Sequence, residues 1–192
     1  MPIINAKDLR IIENRKNIPS KAGWYRWWAK NTEVKRLLND HYKYLFPLLQ
    51  TCKEKSELNG YFLIYTGIAF KESVGARLNW HINQKHTSAN VKHRTLSTLR
   101  QSISSLLFGN QGKNSEEETN KFINKLKVEY FTVDSPIGSD EAKKAVEDRE
   151  KQDLGCLVLP LNIKGNKNPA ILVFKKYLQK KRCNARKCND VE

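Results

Sequence analysis

The sequence is short of acids, of cysteines and of long apolar runs. Its 192 residues hold 20 Asp and Glu against 35 Lys and Arg, a formal net charge of +15. That imbalance asks for a polyanionic partner. Four cysteines (Cys52, Cys156, Cys183, Cys188) lie far apart except for the last two, which is not the spacing of a secreted disulfide scaffold. Reduced thiols and a cytoplasmic location are expected. No apolar run approaches the roughly 18 residues of a membrane span, and the opening MPIINAKDLR carries Lys7 and lacks the apolar stretch of a leader peptide. There is no glycine-rich phosphate loop and no internal repeat. Cys183 and Cys188 have no obvious third and fourth ligand beside them, which argues against zinc. What the chain does have is a 39% apolar share with 4 Trp, 7 Tyr and 7 Phe, enough for a packed core without metal or disulfide. A chain of this length fits one domain over residues 1–192.

The positive charge is uneven. Residues 1–115 carry 19 basic and 7 acidic side chains and residues 164–192 carry 9 and 2, whereas residues 116–153 carry 7 and 11. Lys and Arg neutralising phosphates supply sequence-independent affinity for nucleic acid. The carboxylates between them are either solvated helix faces or include a few that hold a divalent cation against a phosphate.

Two segments read as strands, Gly23–Trp28 and Tyr61–Tyr65, followed later by Val128–Val133. Between the first two, Val34, Leu37, Leu38, His41, Tyr42, Leu45, Leu48 and Leu49 recur at helical spacing, predicting a helix bent or restarted at Pro47. Further helices are expected over 75–86, 95–108 ahead of Gly109, 116–126, and from a Ser139 cap to about Leu154. The polar tract 109–118 reads as a loop, and a basic helix and tail occupy about 168–192, where Lys175, Lys176, Lys180, Lys181, Arg182, Arg186 and Lys187 read equally as a solvated terminus or as contacts to a DNA backbone. Strands with helices on their faces make an α/β layer fold.

Gly23-Trp24-Tyr25 and Tyr65-Thr66-Gly67 resemble, with altered middle residues, the two name motifs of the GIY-YIG endonuclease superfamily. Arg77 follows with His81 four residues on, and Glu150 precedes Asn162, in Pro160-Leu161-Asn162, by 12 residues. This ordered set is more similar still to the restriction-endonuclease-like branch, and covers about residues 22–170. The interval of about 40 residues between Tyr25 and Tyr65 exceeds that of minimal members. The resemblance implies a small three-stranded, mostly antiparallel sheet flanked by helices, with a helical insertion between the first two motif strands and a basic C-terminal helix. It implies a metal-dependent DNA endonuclease, of the type II restriction kind, acting on duplex DNA as a homodimer. An inactive DNA- or RNA-binding relative is the alternative.

On that resemblance the catalytic set is Tyr25, Tyr65, Arg77, His81, Glu150 and Asn162. Tyr65 is the general base or water positioner; a phenol of pKa ~10 needs cationic neighbours for that task. Arg77 clamps a phosphate oxygen, Tyr25 hydrogen-bonds in the same pocket, and His81 passes a proton or binds phosphate. Glu150 is the protein carboxylate on Mg²⁺ or Mn²⁺, with Glu147 one turn away in reserve, and Asn162 orients the region through hydrogen bonds. Lys71, Lys85, Lys92, Arg94 and Arg100 follow the second motif as phosphate contacts. Each residue has a plainer reading: strand aromatics filling a core, a solvated Arg77–His81 pair, carboxylates facing water, Asn162 as a turn residue before Gly165, and a solvated basic C terminus.

Overall fold

The computed structural model describes residues 2–52 and 54–188. Four strands form one antiparallel sheet in the order β1-β4-β2-β3: β1 (Ile3–Asn5), β2 (Gly23–Lys30), β3 (Tyr61–Ala69) and β4 (Lys127–Thr132). The expected three strands are corrected to four. The added one, β1, is three residues long and pairs Ile3–Asn5 with Glu129–Lys127, too short for any alternation to show.

Among the described residues the helices are α1 (Ile12–Lys16), α2 (Asn31–Leu38), α3 (Tyr42–Leu45), α4 (Val74–Asn83), α5 (Ser88–Lys92), α6 (Thr98–Phe108), α7 (Lys113–Ile123), α8 (Asp140–Cys156) and α9 (Leu172–Lys187). The insertion is a string of short helices and not one helix bent at Pro47. α2 stops at Leu38 because Asn39 takes a positive φ of 44°, and Pro47 sits in the first turn of a separate 3₁₀ segment, Phe46–Leu48. Gly109, at φ 63°, closes α6 as its position promised. The tract after it is a loop only as far as Gly112, since α7 starts at Lys113 and buries Ser115, Thr119, Phe122 and Ile123 at helical spacing. Ser139 caps α8, its Oγ accepting from the Ala142 amide.

One face of the sheet carries the main core. Tyr25, Trp27, Ala29, Ile64 and Tyr65 pack there with Leu78 and Ile82 of α4, Leu99 and Ile103 of α6, and Phe174 and Leu178 of α9. The opposite face holds a smaller cluster of Trp28, Leu58, Tyr61, Leu63, Leu154 and Leu159. The faces change hands at a β-bulge. Trp27 pairs with Tyr65 but Trp28 pairs with Leu63, leaving Ile64 as the extra residue. Strict alternation would put Tyr61, Leu63 and Tyr65 on one side; the bulge turns Tyr65 over to the main core.

Candidate active site

Tyr25 and Tyr65 come from adjacent strands on the same face, with Tyr25 opposite Gly67 and Trp27 opposite Tyr65. A Cβ on Gly67 would lie 2.5 Å from the Tyr25 hydroxyl oxygen, so the phenol lies across a residue that must have no side chain. A Cβ on Gly23 would sit 1.9 Å from the Phe131 carbonyl oxygen, where β2 meets β4. Both motif glycines are thus required by close approach.

Opposite the tyrosines lies α4, whose Ser73 cap accepts from Ala76. His81 Nε2 is 2.7 Å from the Tyr25 hydroxyl and its ring packs edge-on against Tyr25 and Tyr65. Arg77, one turn earlier, lies over Trp80 and pairs through Nη2 with Glu72 at 2.7 Å, while its buried Nε has no partner. Together with Lys71, Thr98 and Glu150 these side chains line a cavity of about 390 Å³. Glu150, on α8, enters with no ion-pair partner among the described residues, whereas Glu147 is not among the lining residues.

The electrostatics follow from burial. Burial lifts Tyr25 well above an ordinary phenol, with the Tyr65 phenol adding to it. Tyr65 is raised too, first by burial and then by Glu150, against the pull of Arg77, Arg182 and the Thr98 side chain. The cations expected around Tyr65 are present but outweighed. Burial and the charges of Arg77 and Arg100 hold His81 down to about 3, so the imidazole is neutral at physiological pH. Glu150 is raised by burial and by Glu147, and lowered by Lys164.

Asn162 is not in the cavity. It sits in the turn after α8, where its Oδ1 accepts from the Thr66 amide at 2.9 Å and its Nδ2 donates to the Thr66 carbonyl at 2.8 Å. The Thr66 hydroxyl lies 3.2 Å from Asp153 Oδ2 and 3.3 Å from the Tyr25 carbonyl oxygen. Asp153 also takes Arg26 through two hydrogen bonds of 2.9 and 2.6 Å. Thr66 therefore ties β2, β3, α8 and the Asn162 turn together between Tyr65 and Gly67, which line the cavity. The other altered motif residue, Trp24, stacks on Phe131 at 4.5 Å with the Arg149 guanidinium over its ring. Neither change touches the cavity.

The expected phosphate contacts separate. Lys71 lines the cavity. Lys85 is exposed and 3.4 Å from Glu116, and Lys92 and Arg94 line another hollow with Arg186 and Lys187. Arg100 is corrected: it is fully buried, donating to His86 Nε2, to the His81 and Ile82 carbonyls and to Asn120 Oδ1. It belongs to the buried face of α6 and holds the C-terminal end of α4, the turn that carries His81. Thr98, Asp153 and Glu72 were missed by sequence reasoning, and the sequence places Arg182 only among the basic residues of the C-terminal helix, not beside Tyr65. Asp153 alone left a trace, as the acid three residues after Glu150 on one helix.

Two tyrosines, one arginine, one neutral histidine and one carboxylate thus share a single cavity against the sheet. The chain matches the model of the GIY-YIG catalytic domain over residues 23–184, and it belongs to the GIY-YIG superfamily of nucleases. No curated protein and no solved structure matches it. Among the described residues no group of three or more His, Cys, Asp or Glu forms a metal cluster, and no helix is long and apolar enough to cross a membrane.

Proposed function

We propose that the protein is a metal-dependent DNA endonuclease that hydrolyses phosphodiester bonds with an activated water. The observation that carries this reading is the convergence of Tyr25, Tyr65, Arg77, His81 and Glu150, from the four elements β2, β3, α4 and α8, on one cavity. A lone, unpaired carboxylate suits Mg²⁺ or Mn²⁺, which keeps most of its waters and shares phosphate oxygens as ligands. Bound at Glu150, the cation supplies Lewis acidity toward a phosphate oxygen and offsets the carboxylate charge. With a cation held there, Glu150 would no longer oppose Arg77 and Arg182 beside Tyr65, so that Tyr65, once ionised to the phenolate, would orient the water and take its proton as the new P–O bond forms and the bond from phosphorus to the leaving oxygen breaks. The part-exposed Arg77 guanidinium donates to a non-bridging phosphate oxygen and opposes the charge gathering on phosphorus. Tyr25, held by neutral His81, fixes the far wall of the cavity, and Asn162 acts through the Thr66 backbone by fixing the strand that carries Tyr65.

One candidate catalytic cavity among the described residues supports a further reading: a restriction-type enzyme that breaks duplex DNA as a homodimer, each copy cutting one strand. The apolar core shared from Ala6 to Leu178 supports one domain, and four free thiols support a cytoplasmic setting. Incubation of supercoiled plasmid with Mg²⁺ or Mn²⁺ tests the proposal. Wild type is expected to nick or linearise it and Glu150→Ala to lose at least 100-fold of that rate. Equal nicking by both overturns the assignment, and salt-dependent binding without any metal-dependent cutting supports the inactive DNA- or RNA-binding alternative.

A further inference from the structure

The active cavity does not end at Tyr65. Thr98, which lines it, also lines a second cavity of about 440 Å³ with Lys164, Gln179, Arg182 and Arg186. Arg186 in turn lines the third hollow, of about 330 Å³, with Lys92, Arg94 and Lys187. Three depressions sharing wall residues make one groove that leaves the catalytic residues and runs along α9. Among the described residues Glu150 is the one carboxylate lining it, and it lies at the catalytic end. The cavity on the other sheet face is different, since Arg26 and Lys55 there are matched by Glu54 and Glu129.

The groove also has a built corner. Thr98 is the first residue of α6, whose cap Ser97 accepts from the Arg100 amide, so the positive end of an 11-residue helix opens where the first two cavities join. Beside it Arg182 is anchored by a hydrogen bond to Gln101 Oε1 and its backbone carbonyl accepts from Gln111. Cations spaced along a groove, with a helix N-terminus among them, match a row of phosphates rather than a single anion.

We propose that this groove is the track for the DNA strand beside the scissile bond. Arg182 and the α6 N-terminus hold the neighbouring phosphate, and Arg186, Lys92 and Lys187 hold those beyond it. The inference rests on the nuclease reading for its orientation. It makes α9 part of the substrate site and not a solvated tail.

Anisotropy of a fluorescein-labelled 24-base-pair duplex, read against KCl concentration with wild-type protein in EDTA, tests the track without cutting. Arg186→Gln combined with Lys92→Gln is expected to weaken binding evenly across duplex sequences and to lower the slope of log affinity against log salt by about 1 for each phosphate contact removed. Lys143→Gln with Lys144→Gln, exposed on α8, is the matched control and is expected to leave the slope in place. An unchanged slope in the groove variant, or an equal loss in the control, overturns the track. Cutting of the same duplex in Mg²⁺ separates the two proposals: absence of Glu150-dependent cutting removes the nuclease reading while the slope result stands.

Discussion

Three partners meet at Thr66, and the size of the loss when one is removed follows from what each leaves behind. Asn162→Ala strands both a buried amide and a buried carbonyl of Thr66, a cost of about 2–6 kcal/mol from roughly 1–3 per unsatisfied group. Urea unfolding should show that loss, and cutting should fall through kcat more than KM because no substrate contact is removed. The two motif glycines separate in the opposite way. Gly67→Ala displaces the Tyr25 phenol and is expected to cost activity first, while Gly23→Ala drives a Cβ into the β4 backbone and is expected to cost stability first. Thermal melts set beside cutting rates distinguish them. At His86 the prediction concerns pH. Its Nε2 accepts from Arg100 and its Nδ1 lies 3.2 Å from Ser115 Oγ, and burial with the Arg100 charge lowers its pKa to about 4. Unfolded histidine titrates near 6.5, so the unfolded chain binds more protons between those values. Stability is full above about pH 6.5 and falls as pH drops toward 4, and His81 acts in the same sense. Urea midpoints at pH 7.5, 6 and 5 check this, with His86→Gln flattening the decline.

The motif residues were legible as elements because their spacing reports strand and helix directly: Tyr25 and Tyr65 on strands, Arg77 and His81 one turn apart, Ser139 before its helix. The bulge was not legible. Nothing in Leu63-Ile64-Tyr65 marks Ile64 as extra, since the shift depends on how Trp27 and Trp28 pair across the sheet. Arg100 was misplaced for a similar reason: a basic run looks exposed until the carbonyl ends of α4 are seen to need a donor. The element-scale prediction uses the bulge. Inserting one alanine between Trp27 and Trp28 gives Ile64 a cross-strand partner and restores strict alternation, which puts Leu63 and Tyr65 on one face, so cutting should vanish, whereas Ile64→Val keeps the bulge and should retain it. An insertion variant that folds by circular dichroism and still cuts would show that the bulge does not aim Tyr65.

For the molecule as a whole, the +15 charge announced a polyanionic partner, and its division by residue number placed the surplus before 116 and after 163. What the linear count could not contain is that Lys92 and Arg94 fold against Arg186 and Lys187, joining two basic segments into one groove. Nor could it show that the carboxylates Glu129 and Asp153 are spent on Arg26 and Lys55 behind the sheet. The local acidity of residues 116–153 is therefore largely internal bookkeeping between neighbours, with Glu150 left over at the cavity.

Because the cavity behind the sheet balances its charges and the groove along α9 does not, the protein is electrically lopsided. Near a duplex it experiences a torque before any atom touches, and a tumbling molecule is turned groove-first. Steering of this kind raises association rates and fades as salt shortens its reach, about 10 Å at 0.1 M. Stopped-flow association should thus slow steeply with ionic strength, more so than dissociation quickens. A groove that serves as the proposed track would set not only where DNA rests but how few collisions are wasted before it arrives.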